Sequence, residues 1–251
     1  MRAAQVPDKT PICGRISQSH WRSPVDLADS HLVMLYDCTR VRDRDLGIAA
    51  AIKAIGQGDL IVLPTDTVYG IGADAFTAWS VTAMLNAKGR GRQMPSPVLI
   101  GSRRTLDGLV NYVPQAARDL AAAFWPGPLT IVVTHAPTLQ WDLGETNGTA
   151  AVRMPLHPVA LEVLAETGPM AVSSANRTGQ PPATTAVQAR DQFAYDVSVY
   201  LEAGPSPSTE PSTIVDVSTG EPRILRLGAL SYHRLREVVP ELADPRAEVH
   251  Q

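Results

Sequence analysis

From residue 46 onward, short apolar runs alternate with Ala-rich stretches of helical character, and Gly or Pro separates them. Residues 46–57, rich in Ala and Ile and stopped by Gly56 and Gly58, predict a helix with a glycine terminus. Residues 60–64 predict a buried strand, 65–72 a turn-rich loop, 78–87 a helix, 88–97 a basic loop and 98–101 a short strand. A helix over 115–124 and the turn Trp125-Pro126-Gly127-Pro128 lead into a strand over 129–133. The second half repeats the alternation, with strands over 150–153, 170–173, 197–201, 213–217 and 223–227 and helices over 158–166 and 231–239. Strands interleaved with helices imply an α/β sheet with helices packed on it. The late cluster of strands implies a mixed sheet rather than a purely parallel one.

Residues 1–33 differ. They mix Pro, Ser, Arg, Gln and His without a sustained period, which predicts a poorly ordered N-terminal extension before a single domain over 34–251. Met34, just ahead of the regular pattern, is a candidate translation start. The apolar runs at 60–64 and 129–133 are strand-sized, far short of the roughly 20 residues that span a bilayer. Arg2, Asp8, Lys9 and Arg15 interrupt any signal-peptide core. The two cysteines, Cys13 and Cys38, form no CxxC pair, so reduced thiols and a cytoplasmic location are expected, with no membrane partner.

A net charge of −3 argues against a chain built to coat nucleic acid, but the acids are unevenly spread. With 25 acids in 251 residues, a window of 32 would hold about three. Residues 75–106 hold none, yet carry Lys88, Arg90, Arg92, Arg103 and Arg104. Residues 146–161, with Arg153, and residues 167–190, with Arg177 and Arg190, also lack acids. Each stretch includes a predicted strand end and the loop after it, where α/β sheets bind ligands. Three such segments with fixed cations would suit an anionic small molecule; solvated loops with chance clustering are the plain alternative.

No GxxxxGK[ST], GxGxxG, HExxH or GxSxG occurs, and the six histidines are dispersed without metal-ligand spacing. His157, between Leu156 and Pro158, reads as structural. Residues 65–72 (TDTVYGIG) follow a strand directly, with hydroxyls, a carboxylate and a phenol beside glycines that admit close backbone approach to a ligand; an ordinary turn capped by Asp66 is equally open. Lys88-Gly89-Arg90 offers a point charge and a fork to a polyphosphate, although such triplets are common on surfaces. Ser173-Ser174-Ala175-Asn176, at a strand end, could bind phosphate oxygens or merely cap the next turn.

In chain order, residues 64–72 (PTDTVYGIG), 88–90 (KGR), 125–130 (WPGPLT), 152–158 (VRMPLHP), 173–176 (SSAN) and 212–216 (STIVD) closely resemble the YrdC/Sua5 family, the threonylcarbamoyl-AMP synthases. The resemblance runs over about residues 45–235 and is closest to the short, single-domain form. It implies a twisted open α/β sheet, YrdC-like, around a concave cationic cavity. The implied reaction joins L-threonine, bicarbonate and ATP into L-threonylcarbamoyladenylate and pyrophosphate. A downstream tRNA threonylcarbamoyl transferase complex would then modify adenosine 37 of tRNA, and a weak direct tRNA contact is a further implication. The family's site residues carry over as Lys88, Arg90, Ser174 and Asn176 for catalysis and the ATP phosphates, with Mg²⁺ as a cofactor. Thr149, Thr184 and Arg226 correspond to further nucleotide contacts, and Thr65, Arg153 and Ser174 to the threonine site; no protein metal ligand is implied.

Three positions depart from the family pattern: Gly91 follows the KxR set where many relatives have Pro, Leu99 stands where a threonine-binding His is expected, and Pro211 replaces a frequent Glu. Two other readings compete. An RNA-binding or ribosome-associated module on the same scaffold is disfavoured by the net charge and by the lack of aromatics interleaved with the basic loop. A carbamoyl-adenylate enzyme like the YrdC-like domain of hydrogenase maturation proteins would be expected to come fused to other domains.

Overall fold

The computed structural model describes residues 33–243. The chain runs β1 (Met34–Asp37), α1 (Val41–Gly56), β2 (Ile61–Leu63), β3 (Gly70–Asp74), α2 (Ala78–Lys88), β4 (Val98–Leu99), α3 (Arg103–Leu109), α4 (Gln115–Phe124) and β5 (Leu129–Thr134). It continues through β6 (Thr149–Arg153), α5 (Pro158–Thr167), β7 (Met170–Ser174), α6 (Ala186–Phe193), β8 (Val199–Glu202), β9 (Thr213–Asp216), β10 (Arg223–Arg226) and α7 (Tyr232–Arg236). The ten strands form one sheet in the order β1-β8-β2-β3-β7-β4-β6-β5-β9-β10. Four pairs are parallel (β1–β8, β8–β2, β4–β6, β5–β9) and the other five antiparallel, so the sheet is mixed, as the late strand cluster implies.

Helix positions follow from where apolar side chains recur. In α1, Ile48, Ala51, Ala54 and Ile55 share the buried stripe. They join α5 residues Val159, Ala160, Val163 and Leu164 in a core that takes residues from β2, β8, β7 and β4, with Tyr36 of β1 packed against it. A larger core on the opposite face takes residues from α2, α3, α4, α6 and α7. The first-named core contains no residue of β5, β6, β9 or β10 among the described residues. Half of one sheet face therefore carries no helix.

Several predicted elements shift. Helix α1 starts five residues before residue 46, because its first turn (Val41-Arg42-Asp43-Arg44-Asp45) is largely polar and shows no apolar period. The predicted loop 65–72 contains the start of β3, whose glycines hide a strand by offering no side-chain alternation. Those glycines are required by packing: a Cβ on Gly70 would lie 2.6 Å from Val172 Cγ1, and one on Gly72 2.7 Å from Met170 Cε. Strand β1 and helices α3 and α6 went unassigned from sequence. The predicted extension at 1–33 lies, apart from Val33, outside the described residues.

The connection from β8 to β9, residues 203–212, joins strands seven places apart in the sheet. On the way, Gly204 O accepts from the Tyr69 hydroxyl (2.7 Å) and the Ser206 N–H donates to Thr184 O (2.7 Å).

The two β3 glycines should differ in tolerance. Gly70→Ala meets a β-branched side chain that cannot rotate away and should cost ~1–3 kcal/mol, whereas Gly72→Ala meets a terminal methyl that can swing aside and should cost less. Urea unfolding of both variants checks this; equal costs would contradict the packing account.

Candidate active site

The uncovered half of the sheet is the floor of a cavity of about 560 Å³. Period-two alternation builds it: in β5, Leu129, Ile131 and Val133 enter the core while Thr130 and Val132 face the cavity. In β6, Val152 is core and Arg153 is cavity; in β9, Val215 is core and Ile214 cavity. The lining includes Arg90, Arg153 and Arg226 together with many Ser and Thr hydroxyls, and no Asp or Glu.

Arg153 is 7% exposed, and each of its three guanidinium nitrogens makes a hydrogen bond. Its Nε donates to Gly127 O (3.0 Å), Nη1 to Thr67 Oγ1 (2.9 Å) and Nη2 to Asp66 Oδ1 (2.6 Å). Burial disfavours the guanidinium charge, Asp66 supports it, and nearby Arg226 opposes it, so that the group's pKa is held below its usual value. Asp66 Oδ1 also accepts from the Leu156 N–H (2.9 Å), so it anchors a distant loop rather than capping its own turn. Thr65 Oγ1 donates to Val68 O (2.6 Å) and lies 3.1 Å from Thr67 Oγ1, which links it to the same network.

Lys88 arrives by helical register. Ser80, Val81, Met84 and Leu85 form the buried side of α2, and Lys88 is the next position on that side, just before Gly89 ends the helix in a left-handed conformation (φ 63°). Its Nζ donates to Asn176 O (2.7 Å) and to Ser174 O. Burial, and secondarily Arg90, lowers its pKa to about 8. Arg90 donates to Ser173 Oγ (3.0 Å) and Pro95 O (3.3 Å), and burial lowers its pKa too. Ser174 Oγ bonds Asn176 Oδ1 (2.6 Å), whose amide nitrogen donates to Gln180 O (2.8 Å). Arg226 donates to Ser212 O (2.8 Å), and the Ser212 hydroxyl lies 2.8 Å from Thr130 Oγ1.

Of the residues singled out from sequence, Thr65, Arg90, Thr149, Arg153, Ser174 and Arg226 line the cavity together. Lys88 and Asn176 sit behind Ser174, joined to it by hydrogen bonds rather than lining the space. Thr184 lies apart from the lining, with its hydroxyl on Gln188 Oε1 (3.0 Å). Leu99 and Pro211, two of the departures from the family pattern, both line the cavity. Sequence reasoning gave Thr67, Ser173 and Ser212 no role as partners of the arginines, although each lies inside a quoted motif. Among the described residues no cluster of three His, Cys, Asp or Glu could hold a metal ion, and no helix is long and apolar enough to cross a membrane.

Most of the chain is similar to known proteins. A family model named for Sua5, YciO and YrdC, described as "Telomere recombination", matches residues 53–228. A protein of Mycobacterium tuberculosis, provisionally named a threonylcarbamoyl-AMP synthase, is 56% identical over 204 residues, covering 81% of this chain and 94% of the relative. Among solved structures, a variant of Pyrococcus abyssi Sua5 superposes with a TM-score of 0.80 at 31% identity, over 88% of this chain and 64% of that one. The P. abyssi Sua5 complexed with L-threonine superposes with a TM-score of 0.75 at 33% identity, over 81% of this chain and 60% of that one. The chain thus spans nearly all of the mycobacterial relative but less than two thirds of the archaeal protein.

The Asp66–Arg153 pair generates a stability test. Asp66→Asn leaves a buried guanidinium without its counter-charge and should cost about 3 kcal/mol, while adding Arg153→Met should recover most of that loss. Denaturant midpoints of the single and double variants measure both.

Proposed function

The chain belongs to the Sua5/YciO/YrdC family, and we propose that it is a threonylcarbamoyl-AMP synthase, a nucleotidyltransferase that joins L-threonine, bicarbonate and ATP and releases pyrophosphate. The observation that carries this is a cavity lined by three arginines and many hydroxyls without a carboxylate. Such a lining neutralises phosphate charge, and an unpaired carboxylate facing the space would oppose it. The single domain from about residue 34 would hold the whole site, acting in the cytoplasm upstream of a tRNA threonylcarbamoyl transferase complex.

The reaction needs positioning more than a strong base. The neutral threonine amine adds to CO₂, which bicarbonate yields by taking up a proton and losing water, and the amine gives up that proton as the carbamate forms. A carbamate oxygen then attacks the α-phosphorus of ATP, forming the new O–P bond as the Pα–O bond to the β-phosphate breaks, and pyrophosphate leaves with the electron pair. Arg90 and Arg226 line the wall where they would meet phosphate oxygens, and Lys88, with one N–H left beyond its two carbonyl partners, would add a point charge beneath Ser174. Ser174, Asn176 and Thr149 would supply hydroxyl and amide contacts, and Thr184 an outer contact to the nucleotide. Thr65 and Arg153 would hold the amino acid, the latter through guanidinium N–H groups not used on Asp66, Thr67 and Gly127. The lining offers Mg²⁺ hydroxyl oxygens but no carboxylate, so the ion would arrive on the phosphates as MgATP, part of the substrate.

Pyrophosphate release from ATP tests the reaction: it should require both L-threonine and bicarbonate, and release independent of either would refute it. Lys88→Ala with Arg90→Ala should abolish ATP turnover while leaving the circular-dichroism spectrum near wild type. A pH profile tests Lys88 separately. Its folded pKa of about 8 lies below the usual lysine value, so the ammonium is lost on the free protein as pH rises through 8. kcat/KM for ATP should fall above pH 8, and Lys88→Arg should remove that inflection. The same shift has the opposite sign for stability: the unfolded chain binds the Lys88 proton more tightly, so stability should rise between about pH 8 and the ordinary lysine pKa.

A further inference from the structure

Glu202, the last residue of β8, lies in none of the quoted motifs, yet its carboxylate joins three stretches of chain far apart in sequence. Strand β8 runs parallel to β2, so both end on the side where residues 64–69 leave β2 for the cavity. Oε2 accepts from the N–H groups of Ala186 (2.8 Å) and Val187 (3.3 Å), the first two residues of α6. Oε1 accepts from the Gly204 N–H (2.8 Å) and lies 3.1 Å from the Tyr69 hydroxyl. That hydroxyl also accepts from the Ala203 N–H (3.0 Å).

Each of the three stretches borders the site. Tyr69 lines the cavity; its carbonyl accepts from the N–H of Ala175, which stands between Ser174 and Asn176 (2.7 Å), and its own N–H donates to Ala183 O (3.2 Å). Thr184 stands two residues before α6 and hangs on that helix through Gln188. Residues 203–212 bring Thr209 and Pro211 into the lining. The Glu202 carboxylate is not part of the lining. Its chemistry suits a junction instead: each oxygen faces at least one backbone N–H, and a carboxylate, an acceptor only, satisfies both sides. A glutamine amide would set its own N–H groups against a backbone N–H whichever way it turned. The start of α6 also favours a negative charge.

We propose that Glu202 is a positioning residue for the nucleotide side of the site. Its carboxylate fixes α6, and with it Thr184, against the Tyr69 loop and the 203–212 connection, so that the groups meeting the nucleotide are in place before it arrives. The inference rests on the synthase reading above, which gives Thr184 and Asn176 to the nucleotide, and adds a residue that touches no substrate.

Glu202→Gln tests this by binding alone. Calorimetric titration with ATP, without threonine or bicarbonate, should show affinity about tenfold weaker than wild type, the scale of one charge-assisted hydrogen bond. L-threonine titrated separately should bind within about twofold of wild type, because the partners of Thr65 and Arg153 include none of the partners of Glu202. Equal losses for both ligands would reveal a general loosening of the fold and overturn the positioning role. Unchanged ATP affinity, or no binding of either ligand by wild type, would overturn it too. Should Glu202→Gln fail to fold, Tyr69→Phe keeps the test open. It removes only the hydroxyl set among Ala203, Gly204 and the carboxylate, and should weaken ATP by about threefold while sparing threonine; no loss for ATP, or an equal loss for threonine, would overturn the proposal. Failure of the synthase reading is seen elsewhere, as wild-type protein that binds ATP but releases no threonine-dependent pyrophosphate.

Discussion

A guanidinium withdrawn from water at Arg153 sets the frame on which the site is hung. Its three partners come from two separate parts of the chain, the loop after β2 (Asp66, Thr67) and the turn before β5 (Gly127), while β6 carries the residue itself. Asp66 extends the set to Leu156, beyond the end of β6. A charge this deep is tolerated only when each neighbouring group is in place, so the pair imposes a mutual position on segments that share no regular hydrogen bonding. Any ligand carboxylate or phosphate that reached Arg153 would meet a fork already oriented, which lowers the ordering cost of binding.

The cavity exists because helices cover the sheet unequally. Helices α1 and α5 bury one face as far as Leu99 of β4, and beyond it β6, β5 and β9 turn their alternate residues outward. On those strands the side chains that would ordinarily be exposed are Thr130, Val132, Arg153 and Ile214, a mixture of small, polar and cationic groups. The walls then come from strand ends and the loops beside them, including Thr65, Thr67, Val68 and Tyr69 before β3 and Ser173 and Ser174 at the end of β7. Strand alternation thus decides both the core and the site, one on each face of the same peptides.

Much of this was legible in the residues, and what was not has identifiable causes. Acid-free stretches at 75–106, 146–161 and 167–190 correctly marked segments that contribute Arg90, Arg153 and Ser174 to one cavity. Strands over 129–133 and 170–173 were visible because β-branched and apolar residues run unbroken there. Strand β3 was concealed because its glycines serve close packing instead of displaying an alternation. Helix α6 was concealed because its buried side is made of Ala186, Ala189 and Phe193 among polar neighbours. Polar partnerships across long separations, such as Arg90 with Ser173, have no local signature at all.

The segment 203–212 ties together two strands seven positions apart in a single sheet. Seven inter-strand steps of about 4.8 Å would separate them by about 34 Å if the sheet were flat. Ten residues at full stretch reach about 33–36 Å, and this stretch also stops at Tyr69 and Thr184 on its way. A flat sheet would leave the tether no slack, so the chain length itself demands that the sheet curl. The hollow is therefore held open and bounded like a bow by its string: shortening the string would deepen the curve, and lengthening it would let the two ends of the sheet drift apart.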